Sequence, residues 1–148
     1  AMTELELLKK WVRALMAGLD KEIDEKTKTR LMEYCGRACA RHYKSIEKVK
    51  KFQRKTKDID ELLDRLNQQK DFWCGEWMRK GKIIYSVCQE CGCPLVRASL
   101  VEKSPTFCRC SLGWVKAVFE QALGIPIKVQ LIQAKGKGDK VCKYIVRF

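Results

Sequence analysis

Histidine is nearly missing from this chain: a single one, His42, stands among 148 residues. A Ser-His-Asp set needs an imidazole held between nucleophile and acid, and neither that set nor a paired-acid arrangement stands out. Long apolar runs are lacking as well. None approaches the ~20 residues that span a bilayer, because lysine, glycine or proline interrupts the longest candidates. Internal repeats and low-complexity tracts are also absent. The opening residues, AMTELELLKKWVRALMAGLD, scatter charge through an amphipathic pattern and lack the basic stub, apolar stretch and small-residue cleavage site of a signal peptide. The expectation is a soluble, cytoplasmic protein with no membrane partner.

Acids are scarce relative to bases: 18 Asp and Glu against 31 Lys and Arg give a formal net charge of +13. Residues 41–57, RHYKSIEKVKKFQRKTK, hold eight Lys or Arg against the single acid Glu47. A basic run of this kind raises nucleic acid as a partner. Only Tyr43 and Phe52 interleave, too few for a base-stacking surface, so a solvated helix face or a mobile connection is favoured over phosphate binding.

Cysteine is abundant. Nine thiols are an odd number, so full pairing is excluded, and several lie too close in sequence for ordinary disulfides. At 148 residues the chain is long enough to bury a core without covalent staples. Reduced thiols in one domain, residues 1–148, are therefore expected.

The first 80 residues read as helical. Leu5, Leu8, Val12, Leu15 and Leu19 form a three-and-four stripe that Gly18 is expected to end. Asp20 would cap a second helix with Ile23, Thr27, Leu31, Cys35 and Cys39 on one face. This helix has the option of running on through Ile46, Val49 and Phe52. Asp58 and Glu61 read as a capping box for a third helix, and helicity is expected to resume over residues 71–80. From residue 82 onward the character changes. KIIYSVC and LVRASLV read as a hairpin around a Cys/Gly/Pro cluster. Ser111 would start a helix ending before Gly124, and PIKVQLIQ with VCKYIVRF reads as a closing hairpin. The pattern predicts an α+β fold: N-terminal helices packed on a mostly antiparallel sheet, with a helix between the sheet's hairpins.

The thiols carry the chemistry. Cys88, Cys91 and Cys93 form C-x2-C-x-C, and Cys108 with Cys110 forms C-x-C. Zinc takes four borderline or soft ligands in a tetrahedron, and a glycine after the knuckle admits the required backbone shape. Cys88, Cys91, Cys108 and Cys110 are the expected metal ligands, with Cys93 as a substitute; an iron–sulfur cluster is the soft-ligand alternative. Cys74 and Cys142 stand alone and read as small buried residues. A second group, YCGRACARHY, places Cys35 and Cys39 one turn apart with Arg37, Arg41 and His42 beside them. A neighbouring arginine favours thiolate, so these cysteines are the candidate nucleophiles if the chain is an enzyme. Packing of this helix face, eased by Gly36 and Ala38, is an equal alternative. Arg37, Arg41, His42 and Trp114 are the candidate ligand contacts.

The segment from Cys108 to Phe148 resembles the C-terminal part of the 4-vinyl reductase-like domains and their aminothiazoline carboxylate hydrolase-like relatives. The features are Cys110 and Gly113 opening a helix, Gly124 with Pro126 entering a strand, and Gly138-Asp139 three residues before Cys142. The resemblance covers a little over a quarter of the chain. It implies a small-molecule-binding α+β fold, with cysteine-bound zinc in some members. Those members carry a glutamate and a further cysteine where this chain has Leu131 and Ala134, so their metal site does not carry over. The leading expectation is a small-molecule-binding or sensing domain with a thiolate metal site. The alternatives are a thiol-dependent hydrolase or redox enzyme acting on a small acidic or sulfur-containing substrate, and a nucleic-acid adaptor. Oligomeric state stays open, with a homodimer among the options.

Overall fold

The computed structural model describes residues 1–69 and 71–148. The fold is α+β, as the pattern predicts. In chain order it comprises α1 (Glu4–Glu22), α2 (Glu25–His42), α3 (Ser45–Gln53), α4 (Ile59–Asn67), β1 (Trp77–Lys80), β2 (Ile83–Cys88), two single-turn helices α5 (Pro94–Arg97) and α6 (Pro105–Cys108), α7 (Cys110–Leu123), β3 (Lys128–Gln133) and β4 (Cys142–Arg147). The four strands make one sheet in the order β1-β2-β4-β3, every neighbouring pair antiparallel.

One face of the sheet builds the core. Alternation along β2 and β4 turns Ile84, Ser86 and Cys88, and Cys142, Tyr144 and Val146, to the buried side. Their apolar members share a cluster with Val115, Val118 and Phe119 of α7, Leu62, Leu63 and Leu66 of α4, and Trp77. Among the described residues no helix is long and apolar enough to cross a membrane.

Several boundaries differ from the sequence reading. Helix α1 passes Gly18 and ends at Glu22, so Asp24 caps α2 by accepting from the Thr27 N–H. Continuation through the basic run fails at Lys44, whose φ of 58° interrupts the helix. The restarted α3 buries Ser45 and Val49, and the Gln53 amide donates to the Gln121 and Ala122 carbonyls of α7. The basic segment is thus a core-packed helix with a lysine-rich outer face, not a mobile connection. Only half of the Asp58 box forms: Asp58 accepts from the Glu61 N–H, while the Glu61 carboxylate reaches the Lys57 N–H instead.

The largest correction concerns the first hairpin. Residues 77–80 are strand, not helix, and they pair with β2 across a two-residue turn in which Gly81 takes φ 62°. The segment expected as the second strand, 95–101, instead opens with a helical turn. Pro94 stands at its first position, where the fixed φ suits a helix and the missing N–H costs nothing. The N–H groups of Leu100 and Val101 then both fold back to the Leu95 carbonyl.

A candidate thiol-lined site

Helices α2 and α7 cross at backbone contact. A Cβ on Gly36 would collide with the Cys110 carbonyl oxygen, and one on Gly113 with that of Glu33. The buried ridge of α2 is Lys28, Met32, Gly36 and Ala40, one residue along from the Thr27/Leu31/Cys35/Cys39 face read from the sequence. That crossing sets Cys39 beside Cys110, the first residue of α7.

The loop after β2 completes the arrangement. Cys91, Cys93, Cys108 and Cys110, together with Cys39, line one cavity of about 180 Å³, whose other walls include Phe72, Trp73 and Trp114. All five are free thiols. Trp73 stacks on Trp114 at 4.6 Å between ring centroids and on Trp77 at 5.1 Å. The Trp73 indole N–H donates to Ser86 Oγ at 3.0 Å, and that of Trp114 to Ser45 Oγ at 3.3 Å. Trp73 and Trp114 are half-buried with their ring N–H groups satisfied, whereas the buried Trp77 N–H has no partner among the described residues.

The thiols sense one another. Burial raises the Cys39 pKa, with the Cys93 charge adding to it. Burial likewise raises Cys93 and Cys108, with Cys91 contributing to both. Cys110 is pushed up to about 12, first by burial and then by Cys39, Cys93, Cys35 and Cys108. These four groups are therefore neutral thiols near pH 7, and a bound cation would have to displace their protons. Among the described residues, no three His, Cys, Asp or Glu side chains are gathered tightly enough to hold a metal ion as they stand.

Other expected site residues fall elsewhere. Cys88 is joined to Cys74 in a disulfide, which removes it from the ligand set and corrects the reading of Cys74 as an isolated core thiol and of all nine as reduced. The cause is tertiary: the buried phase of β2 turns Cys88 inward, and the segment before β1 runs beside it, with Gly75 against the Val87 carbonyl. Cys35 is exposed and outside the cavity lining. Arg37 does not activate a thiol, because its guanidinium forks onto Glu120 with N–O distances of 2.8 and 3.0 Å. Arg41 and His42 are exposed and outside the lining, whereas Trp114 is within it. The sequence reading missed Phe72, Trp73 and Arg97 as lining residues. The adjacent aromatic pair was the available signal and was absorbed into an expected helix.

Fold and cavity together define an α+β protein with a pocket walled on one side by thiols and on the other by stacked indoles. By sequence, residues 2–147 match a family of unknown function, DUF6144, and the chain belongs to that family. No curated protein matches the chain.

Proposed function

We propose that the protein is a small-molecule-binding or sensing domain whose cavity thiols hold a soft metal centre. The observation that carries this is the gathering of five free thiols, from α2, the 91–93 loop and the α6–α7 junction, around one cavity. Thiols left unpaired and clustered are suited to thiophilic metals, zinc and iron foremost. The expected quartet is accordingly redrawn: Cys39 and Cys93 join Cys91, Cys108 and Cys110, while Cys88 leaves it. The resemblance of residues 108–148 to 4-vinyl reductase-like domains points the same way, toward a ligand pocket between helices and sheet. Trp73 and Trp114 supply flat apolar surface for an organic ligand.

The thiol-enzyme alternative has less behind it. Burial raises the Cys39 pKa and keeps the thiol protonated; of the two arginines expected to activate it, Arg37 is engaged by Glu120 and Arg41 is exposed, outside the cavity lining. A reactive cysteine needs the opposite surroundings.

Elemental analysis of protein prepared with no added metal and no metal-bearing tag tests the reading. Stoichiometric zinc or iron is expected, lost in Cys110→Ser. A metal-free protein whose five cavity thiols are all alkylated in the native state would defeat it.

A further inference from the structure

Among the described residues seven cysteines stay free beside the Cys74–Cys88 disulfide, and one of the seven is placed to compete for it. Cys88 and Cys142 are directly opposed partners of β2 and β4. Alternation turns both to the buried face of the sheet, where Cys88 is 0% and Cys142 7% exposed. Opposed residues of an antiparallel pair have Cα atoms about 4.5–5.5 Å apart, inside the span of roughly 4.4–6.8 Å that a disulfide bridges. The bond that Cys88 makes to Cys74 spans 5.2 Å between Cα atoms. Cys88 thus stands between two cysteines at bridging distance and can hold one of them at a time. The hydrogen bond to the Cys142 sulfur, from the Lys135 N–H at 3.4 Å, is weak because sulfur accepts poorly, so a turn toward Cys88 gives up little. Cys74, the third sulfur, lines the cavity, whereas Cys88 and Cys142 do not. It packs against Gly92, where a Cβ would come within 3.1 Å of the Cys74 Sγ.

We propose that Cys74, Cys88 and Cys142 form a thiol–disulfide exchange site, in which the bond moves from Cys74–Cys88 to Cys88–Cys142 and frees Cys74 as a sixth thiol of the cavity. The step balances within the chain. Cys142 loses its proton to solvent and attacks the Cys88 Sγ as thiolate. A Cys88–Cys142 bond forms, the Cys74–Cys88 bond breaks, and Cys74 leaves with the electron pair and takes up a proton. One disulfide and one thiol stand on each side, so neither oxidant nor reductant is consumed. Cys74 suits the role of leaving sulfur because it is half-buried on the cavity wall, where water can supply that proton. The cavity changes in two ways. A thiol appears beside Gly92, whose chain neighbours are Cys91 and Cys93. The segment before β1 also loses its covalent tie to β2, and this segment carries Trp73, which is then held by its Ser86 hydrogen bond and its stacking on Trp114 and Trp77. None of the three cysteines belongs to the proposed metal ligands. The exchange is a switch on the number of sulfurs that the cavity offers a thiophilic guest.

Trapping the released thiol tests the exchange. The full-length protein, dilute, folded and without added thiol or oxidant, is held at mildly alkaline pH with an alkylating agent, then digested under non-reducing conditions and mapped by mass spectrometry. Alkylation makes the exchange irreversible, so alkylated Cys74 should accumulate together with a linked Cys88–Cys142 peptide. Cys142→Ser should abolish both and keep the Cys74–Cys88 bond. Cys74→Ser, treated with a small-molecule disulfide, should form the Cys88–Cys142 bond. Should that variant fail to fold, the comparison between the unaltered protein and Cys142→Ser decides alone. Cys74 that stays unlabelled while the exposed Cys35 is fully alkylated would overturn the exchange. Release of Cys74 with Cys88 linked to a cavity cysteine, or release at the same rate in Cys142→Ser, would overturn the role given to Cys142.

Discussion

Helices α1 and α2 are neighbours of nearly equal length, 19 and 18 residues, and both are amphipathic. Their fates differ. Helix α2 buries a ridge of Lys28, Met32, Gly36 and Ala40 against α7, while α1 buries no residue at all and leaves Leu5, Leu8, Trp11 and Leu15 between 46% and 60% exposed. An apolar stripe gives a helix a face to hide. Docking depth is set by how near two backbones can come, and that depends on small residues at the crossing. Helix α2 has Gly36 and Ala40 there and meets Gly113 of α7. Helix α1 is tied down chiefly at its C-terminal end, where Asp20 accepts from the Thr106 hydroxyl and its carbonyl from the Lys28 ammonium at 3.0 Å.

Exchanging glycines breaks the comparison most sharply. In Gly36→Val the new side chain would occupy the space of the Cys110 carbonyl. The helices would have to separate, and a stability loss of more than about 3 kcal/mol is expected, read from the midpoint of urea denaturation or as failure to fold. On α1 the expectation reverses. Gly18 has open space around its Cβ position, so Gly18→Ala should stabilise by about 0.5–1 kcal/mol through helix propensity alone. Equal responses at the two sites would refute the account of α2–α7 packing. Because Cys39 and Cys110 line the cavity from these helices, the proposed metal binding predicts that any Gly36 variant that folds takes up less zinc or iron than the unaltered protein.

The same crossing carries a pH-dependent clamp of intermediate size. Arg37 on α2 forks onto Glu120 on α7, and this hydrogen-bonded pairing lowers the Glu120 pKa from its ordinary 4.5. A carboxyl depressed in the folded state contributes stability that is full above its unfolded pKa and disappears as pH falls through the folded one. Both side chains are about one-third exposed, so solvent screening limits the effect. Glu120→Gln should therefore lower the melting temperature modestly at pH 7, and the gap to the unaltered protein should shrink as pH falls below about 4.5. A constant gap from pH 7 to pH 3 would show that charge plays no part.

What the sequence disclosed follows local signals. The helix at 110–123 and its stop were legible because Gly124 adopts φ 69°, which glycine tolerates best. The closing hairpin was legible from β-branched alternation on both sides of a glycine-rich turn. The gathering of thiols was legible in part, since Cys91, Cys108 and Cys110 do share a cavity lining. Their partners were not. Cys39 reaches the others only because α2 crosses α7 at Gly36, and Cys88 leaves them only because β2 turns it toward Cys74. Neither fact has a short-range signature. The segment from 94 to 101 misled because β-branched content was weighed above Pro94, whose ring favours the first turn of a helix.

The smallest effect should come from the exposed face of α1. Replacing Leu8 and Leu15, 52% and 46% exposed, by glutamine removes apolar surface that no element of the chain covers, and glutamine keeps nearly the same helix propensity. Surface changes of this kind usually stay within about 0.5 kcal/mol, or about 2 °C in a chain of this size. Metal content should be untouched, since neither residue lines the cavity. The charge on α1 makes the measurement informative: four acids and four bases between Glu4 and Glu22 leave this helix neutral on a chain of +13, so two copies could approach here without net repulsion. Melting at protein concentrations a hundredfold apart distinguishes the cases. A concentration-independent midpoint with little change in the double variant is the expected result; a midpoint that rises with concentration, and falls by many degrees when Leu8 and Leu15 are replaced, would mean that α1 is buried after all, against a second chain.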